Sequence, residues 1–299
     1  MGKRNGRRVT RTVWAAGAAA AVWIGLAVWC LHAENTAHYT PEYGKTDVSF
    51  CLEREELTEE DYRLLLQQTG LGRASVDALL EPLKETDLPE AERERILKQL
   101  RFLQERLFAL RTIDCAPNTP VTRQELFTDR MEPPMGCGCF AALEDGDILV
   151  TFNCHFLGWR SGHAGMVVDA EKGLVLEATE LGSDSRVCSL EHWADYPSVA
   201  VLRLRDAPLA KRKEIADYAA ANLVGLPYRL SAGVVPGGQK EESAGTQCAY
   251  LIWSAYERFG FDLDGDGGLL VTPRDLYEST KLEIIQVYGL KLETFTNEL

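Results

Sequence analysis

The sequence predicts an α+β fold, in which a domain of strands and helices follows one transmembrane helix and a small helical unit. Three observations support this prediction. Residues 13–33 carry no charge, residues 54–111 repeat apolar side chains at helical spacing, and residues 140–299 alternate short apolar runs with amphipathic stretches. Strands that are grouped together with flanking helices are typical of an α+β domain.

The beginning of the chain is basic and then apolar. Five of the 32 basic residues precede the first acidic residue, Glu34, and the uncharged stretch 13–33 matches the roughly 20 residues that a helix needs to cross a bilayer. These features predict a basic cytoplasmic N-terminus over 1–12, a transmembrane anchor over 13–33, and the remainder of the chain outside the cytoplasm as part of a single-pass membrane protein. A cleaved secretory signal is the alternative, although the apolar run is long for one and residues 31–33 (LHA) form a poor cleavage site.

Charge and cysteine content limit the partners and the covalent structure. The 299 residues carry a net charge of -13, and every acidic residue follows the predicted span, so nucleic acid is not an expected partner. Eight cysteines are present, and outside the cytoplasm they are able to form disulfides. Apart from Cys30 in the predicted span and Cys248, the cysteines are Cys51, Cys115, Cys137, Cys139, Cys154 and Cys188. Six cysteines allow 15 connectivities, and the sequence selects none, but we expect at least one pair to form.

Three segments are predicted between the span and the strands. Residues 34–53 have no steady period and predict a connector. Residues 54–111 predict a helical unit, in which Thr58 begins a capping box and Gly70 is placed to end the first helix. The apolar stripes of this unit indicate a core or a docking surface rather than a reaction site. Residues 112–139 are rich in proline and predict a linker or a wrapping loop.

Residues 140–299 contain the predicted strands and two prominent helices. Strands are expected over 147–152, 163–168, 173–178, 198–205 and 283–288, with one helix over 209–223 and another near Cys248.

Cys248 is the candidate nucleophile. It lies where a helix is predicted to begin, after a loop of small residues. At that position the unpaired amide hydrogens and the positive end of the helix dipole favour a thiolate over a thiol, and the thiolate is the better nucleophile. A buried core cysteine is the alternative interpretation.

His163 is the candidate base, and Glu177 is the candidate group that orients it. His163 begins a predicted strand between two small residues, which leave room for another element to approach the imidazole. If the following turn keeps an even register, His163 and Glu177 lie on the same face of one hairpin as direct or diagonal neighbours. A thiol nucleophile needs such a base and such an orienting group. A core histidine with satisfied hydrogen bonds and an ordinary half-exposed glutamate are the alternatives.

No metal and no other cofactor are predicted. The Cys137-Gly-Cys139 segment has no second close pair of ligands at zinc spacing. Residues 262–267 (DLDGDG) resemble the start of a calcium loop, but Pro273 occupies the position that needs a bidentate glutamate. We predict a polar surface turn there, with a calcium loop as the alternative.

Six segments of the second half of the chain form a set of motifs. They are GDIL (146–149), GHAGMVV (162–168), VLEA (175–178), GLPY (225–228), QCAYLIWSAY (247–256) and VTPRDL (271–276). Together they resemble the circularly permuted NlpC-type papain-fold hydrolases of the YiiX/YaeF/YebB-like group, in which the order is His, Glu, then Cys. The resemblance implies a permuted papain-like catalytic domain over 140–299, with Cys248 as nucleophile, His163 as general base and Glu177 as the residue that orients His163.

The resemblance and the predicted anchor together imply a membrane-anchored, extracytoplasmic cysteine hydrolase, a peptidase or amidase that forms an acyl-thioenzyme. Cell-wall peptides are the expected substrate class, and a lipid thioesterase or acyltransferase of the same fold is an alternative. A non-catalytic module that binds a lipid or a partner is the other alternative, because Ala249 and Tyr250 stand where the group usually has Ser and Glu. The expected partners are thus a peptide, a peptidoglycan stem or an acyl lipid, and the membrane through the N-terminal helix.

Overall fold

Two antiparallel sheets determine the architecture, which is α+β, and in each sheet some neighbouring strands are not consecutive in sequence. The computed structural model describes residues 14, 16–25, 38–85, 87–232, 245–268 and 270–291. The strands are β1 (Ile113–Pro117), β2 (Thr122–Phe127), β3 (Ile148–Thr151), β4 (Cys154–Phe156), β5 (Trp159–Arg160), β6 (His163–Asp169), β7 (Leu174–Glu177), β8 (Arg186–Ser189), β9 (Val199–Leu204) and β10 (Leu282–Tyr288). The helices are α1 (Glu59–Thr69), α2 (Arg73–Leu80), α3 (Glu90–Phe108), α4 (Leu209–Asn222), α5 (Cys248–Glu257) and α6 (Pro273–Tyr277), and 3-10 helices span Ser49–Leu52, Glu81–Lys84 and Leu190–Asp195.

The larger sheet has the strand order β10-β9-β3-β6-β7-β8, and both of its faces are covered. Alternate residues of β3 and β6 point to opposite faces, as the pleat of a strand requires. Val150 and Met166 belong to the core that contains Ile252 of α5, whereas Leu149 and Val167 belong to the core on the other face. Burial on both faces explains why these strands are continuously apolar.

The helical unit packs directly against the larger sheet. The α1–α2 turn follows the edge of β10, where the Val287 amide donates to the Gly70 carbonyl oxygen at 2.7 Å and Leu71 bridges Gln286. Gly70 has a φ of +75°, and a Cβ at this position would lie 1.9 Å from the Val287 carbonyl oxygen. Only glycine allows this approach, which covers an edge that would otherwise present unpaired backbone groups.

Arg106 of α3 is buried, and its hydrogen bonds connect the helical unit to the larger sheet. Its guanidinium donates to the carbonyl oxygens of Cys139 and Ala194, each at 2.9 Å, and to the Tyr288 hydroxyl at 2.6 Å. The guanidinium also lies 4.0 Å from the centre of the Tyr288 ring. Residues that are distant in sequence are therefore joined by one side chain whose donors are directed at three separate acceptors.

The predicted first helix begins and ends as expected. Thr58 is the N-cap of α1 and forms a reciprocal capping box with Asp61, while Gly70 ends the helix in the left-handed conformation.

The segment 112–139, expected to be a linker, instead contains the β1–β2 hairpin. Two of its prolines are compatible with this hairpin, because proline has no amide hydrogen to donate to a neighbouring strand. Pro117 is the last residue of β1, and Pro120 lies in the turn between the two strands. This hairpin joins β4 and β5 in the smaller sheet, whose order is β1-β2-β4-β5.

The predicted transmembrane helix is wrong, and with it the predicted single-pass membrane localisation. Across the part of the chain that the structure describes, no helix combines the length and the apolar character needed to cross a bilayer. Of the predicted span, residues 14 and 16–25 are described, and they are helical. Residues 1–13, 15 and 26–37 lie outside the described residues.

The expected disulfide does not form among the described cysteines. Cys51, Cys137, Cys139, Cys154, Cys188 and Cys248 are free thiols. Several cysteines belong to separate elements, such as the 3-10 helix Ser49–Leu52, β1 and β8. Cys30 lies outside the described residues.

Candidate active site

A cleft of about 840 Å³ opens between the beginning of β6, the beginning of α5 and the smaller sheet. His163 and Cys248 both line this cleft. Apolar and aromatic side chains form much of the remaining wall, and they include Phe152, Phe156, Trp159, Leu181, Leu230, Leu270, Val271 and Tyr277. The cleft is large enough for an organic substrate and brings polar groups together at one place, as small-molecule sites do.

Cys248 is the first residue of α5, where the sequence placed the start of a helix. Gln247 is the N-cap: its side-chain oxygen accepts from the Ala249 amide at 2.9 Å, and its side-chain nitrogen donates to the Val271 carbonyl oxygen at 2.6 Å. These bonds fix the turn that carries the thiol. Cys248 is only 6% exposed, yet it faces the cleft, so a substrate that enters the cleft reaches the sulfur.

The structure brings His163 together with both Cys248 and Glu177. His163 Nε2 lies 3.0 Å from Glu177 Oε2, and the imidazole is close enough to the Cys248 side chain for that side chain to raise its pKa. The Cys248 sulfur also lies 3.6 Å from Gln247 Oε1. Glu177 on β7 pairs directly with Gly165 on β6, so it is the diagonal neighbour of His163 on the same face. The arrangement is a buried Cys–His–Glu series, since His163 is 4% and Glu177 is 2% exposed.

Opposing effects act on the protonation of the buried pair. Burial lowers the pKa of His163, but hydrogen bonds and charge interactions with Cys248 and Glu177 outweigh it and raise that pKa to about 10. Burial raises the pKa of Glu177, but hydrogen bonds from His163 and His192 outweigh it and hold that pKa well below its ordinary value. An imidazolium next to a carboxylate is therefore the favoured state at neutral pH.

Two residues of the 3-10 helix Leu190–Asp195 complete the surroundings of His163, and neither was predicted from the sequence. The Trp193 ring stacks on the His163 ring, with a centroid distance of 5.2 Å and an interplanar angle of 15°. His192 Nε2 lies 3.2 Å from the same Glu177 oxygen that contacts His163. Gly165 was the sequence signal that another residue packs closely on β6, because a glycine inside a strand often marks such a contact. A Cβ at Gly165 would lie 2.9 Å from the Trp193 ring.

A second buried histidine–carboxylate pair lies on the smaller sheet. His155 Nε2 is 3.1 Å from Glu125 Oε1, but that carboxylate also accepts from Arg160 at 2.8 Å and from Asn153 at 2.5 Å. Burial raises the pKa of Glu125, but these hydrogen bonds outweigh it and lower the pKa to about 2. Because the Arg160 guanidinium compensates the charge of Glu125, we interpret the His155–Glu125 pair as a structural contact of the smaller sheet.

Two groups of side chains among the described residues have the composition and spacing of metal ligands. The first consists of Glu177, Cys188 and His192, and the second of Asp264, Asp266 and Asp275. Asp275 already accepts hydrogen bonds from Thr272 in the capping box of α6. The Cys137-Gly-Cys139 segment belongs to neither group.

The fold and this site define an α+β protein with a Cys–His–Glu series at a cleft. No family model matches the sequence. The chain is similar to the uncharacterized protein YycO of Bacillus subtilis (strain 168), with 29% identity over 136 residues, which are 45% of this chain and 52% of YycO. The chain thus spans about half the length of that relative. It is also similar to the crystal structure of metalloprotein yiiX (DUF1105) from Escherichia coli O157:H7, which covers 48% of this chain and 96% of yiiX at 17% identity and a TM-score of 0.38.

Proposed function

We propose that this protein is a thiol-dependent hydrolase of the permuted papain-like type, in which Cys248 is the nucleophile, His163 the general base and acid, and Glu177 the positioning residue. The observation that carries the proposal is the position of His163 between Cys248 and Glu177 in the cleft. A nucleophile, a base beside it and a third group that orients the base together support acyl-transfer chemistry.

The proposed reaction has two steps. In the first, His163 already holds the Cys248 proton as an imidazolium, the Cys248 thiolate attacks the substrate carbonyl carbon, and His163 gives the proton to the leaving amine as the carbon–nitrogen bond breaks. In the second, the now neutral His163 takes a proton from water, the hydroxide attacks the thioester carbon, and the carbon–sulfur bond breaks, which releases the acid and restores the Cys248 thiolate beside the protonated His163. The backbone amides at the beginning of α5 are the proposed donors to the transient oxyanion.

A peptide or another amide is the first candidate substrate. The cleft exposes polar groups of Arg123, Gln124 and Arg274 beside its apolar wall, and these groups can hydrogen-bond to a peptide backbone or to carboxylates. Peptides of the cell-wall stem type belong to this class and serve as one set of test substrates.

An acyl thioester or acyl lipid is the second candidate substrate. Around the cleft, Trp159, Leu181 and Leu230 are each more than 40% exposed. Exposed apolar side chains beside a cleft are favourable for binding an acyl chain. The same Cys248 chemistry would transfer the acyl group to water or to another acceptor.

Turnover of both classes by matched variants tests the proposal. The full-length protein is incubated with amide-linked peptides and, separately, with acyl thioesters and phospholipid vesicles. Cys248→Ala and His163→Ala should each lower kcat/KM by at least about 1000-fold, because the groups act as a unit. Cys154→Ala is the control, since Cys154 is another thiol in the cleft wall.

The outcomes separate the hypotheses. Peptide turnover that depends on Cys248 supports an amidase, and acyl-lipid turnover that depends on it supports the second substrate class. Equal turnover by the wild-type protein and Cys248→Ala would exclude the thiol mechanism. If the protein turns over neither class, and Cys248 reacts with an alkylating reagent equally in the wild-type protein and in His163→Ala, a non-catalytic binding module is favoured.

A further inference from the structure

Behind the His163–Glu177 pair, three potential metal ligands converge from three consecutive elements. Glu177 lies on β7, Cys188 on β8, and His192 on the 3-10 helix Leu190–Asp195. One ligand atom of each residue lies within 4.8 Å of the others. Val175 pairs directly with Cys188, so Cys188 and Glu177 are diagonal neighbours on one face of the sheet. The convergence therefore follows from strand register and from the short connection after β8.

The hydrogen bonds of His192 orient one ring nitrogen as a ligand. His192 Nδ1 lies 2.8 Å from the Ser189 carbonyl oxygen, which can only accept, so Nδ1 carries the hydrogen. In the neutral ring, Nε2 then presents a lone pair 3.2 Å from Glu177 Oε2, which is also an acceptor. Two facing acceptors require a cation between them, either a second proton on the imidazole or a metal ion. An Nδ1 hydrogen donated to a backbone carbonyl is the usual support of a metal-binding histidine.

The three donors match the preferences of zinc. Zn²⁺ binds cysteine sulfur, histidine nitrogen and carboxylate oxygen in a tetrahedron with bonds of about 2.0–2.3 Å, which places neighbouring ligand atoms about 3.4 Å apart. The 3.2 Å separation of His192 Nε2 and Glu177 Oε2 is close to this value. Calcium and magnesium prefer oxygen ligands, so the sulfur and nitrogen donors favour a softer cation.

We propose that Glu177, Cys188 and His192 form a binding site for Zn²⁺ or a similar divalent transition metal, distinct from the Cys248–His163 pair. The three side chains supply three ligands and leave a fourth position for water. Binding releases the Cys188 thiol proton, because only the thiolate is a good metal ligand.

The position of this site has a consequence for the hydrolase. Glu177 Oε2 contacts both His163 and His192, so a metal ion that binds this oxygen competes with the hydrogen bond to His163. Metal binding should therefore weaken the orientation of His163 and lower turnover. This consequence rests on the proposed function, whereas the binding site does not.

Cobalt titration of the full-length protein tests the site. Co²⁺ is a spectroscopic substitute for zinc, and a cobalt–thiolate bond gives a charge-transfer absorption band that does not depend on turnover. The wild-type protein and Cys248→Ala should both show this band, and added Zn²⁺ should abolish it. Cys188→Ser should lose the band, and His192→Gln should weaken Co²⁺ binding by at least about 100-fold, because even outer-shell partners change metal affinity by 10–100-fold.

Two control variants locate the metal. Cys137→Ser should keep the band, because Cys137 belongs to the other cysteine-rich segment. The proposal is overturned if no thiolate band forms, if the band persists in Cys188→Ser, or if it disappears in Cys248→Ala or Cys137→Ser. His192 is half-exposed, and its replacement therefore tests the site without a large change in the core. A protein that hydrolyses no substrate can still pass this test, and a hydrolase that binds no metal fails this test alone.

Discussion

The protonation of His163 depends on the groups that contact its ring. Glu177 and Cys248 favour the imidazolium, while burial opposes it. Because the pKa of His163 in the folded protein is raised from 6.5 to about 10, the stabilisation from this interaction is fully present below about pH 6.5. It is lost as the pH rises through about 10.

Replacement of Glu177 by glutamine should lower the pKa of His163 toward its ordinary value. Glutamine is similar in size but carries no charge, so it removes the main partner of the imidazolium apart from Cys248. The measurement is a nitrogen-15 NMR titration of the His163 ring in the wild-type protein and in Glu177→Gln. The wild-type ring should remain protonated through neutral pH, and the ring in the variant should lose its proton at a lower pH.

Glu180→Gln is the matched control for this titration. Glu180 also lines the cleft, but its carboxylate accepts a hydrogen bond from Thr122. The control should leave the His163 titration unchanged. A His163 pKa that is equal in the wild-type protein and in Glu177→Gln would contradict the role given to Glu177.

At the residue scale, the sequence indicated which residues of the candidate site lie close together where they share a local pattern. His163 and Glu177 are related by the register of one hairpin, and Cys248 is related to a helix beginning by the loop before it. Trp193 and His192 could not be found in this way, because their contacts depend on how a separate 3-10 helix packs over the sheet. Gly165 indicated that some residue approaches closely, but a glycine does not identify its neighbour.

At the level of elements, strands with continuous apolar runs were easier to predict than strands of mixed burial in the smaller sheet. The predicted strands 147–152 and 163–168 overlap β3 and β6, which are buried on both faces. The β1–β2 hairpin was missed because its burial is mixed and polar residues such as Asp114, Arg123 and Glu125 interrupt it. These strands are held by pairing with each other and with β4, which the local sequence does not reveal.

Replacement of Thr58 by alanine should destabilise the protein by about 1 kcal/mol, the usual value for loss of an N-cap side chain. The Thr58 hydroxyl accepts from the Asp61 amide, and Asp61 accepts from the Thr58 amide in return. Urea denaturation of the wild-type protein and Thr58→Ala measures the change in the free energy of unfolding. Thr58→Ser is the control, because serine retains the hydroxyl and should retain most of the stability. Equal losses in the two variants would show that the methyl group, and not the cap, is responsible.

At the scale of the whole molecule, the helical unit and the sheet form one connected structure. Replacement of Arg106 by alanine should lower the free energy of unfolding by about 3 kcal/mol, because it leaves buried acceptors without their donors. The acceptors are the carbonyl oxygens of Cys139 and Ala194 and the Tyr288 hydroxyl. Chemical denaturation measures this change, and hydrogen exchange in α3 should increase.

Arg101→Ala is the matched control, since Arg101 is an exposed arginine of the same helix. Its effect should remain within about 0.5 kcal/mol, as for most surface substitutions. Similar losses from the two substitutions would mean that Arg106 contributes only through helix propensity and not through its buried contacts.

The pairing of the α1–α2 turn with β10 imposes an order on biosynthesis. The ribosome adds Gly70 more than two hundred residues before Val287, its partner at 2.7 Å. Until β10 emerges, the edge of β9 that β10 covers is unpaired, and the helices made first lack the surface on which they dock. His163 and Glu177 are also made before Cys248. The first helices of a nascent chain therefore remain undocked through most of its synthesis. During that interval their apolar surfaces are exposed, and chaperones are able to bind them.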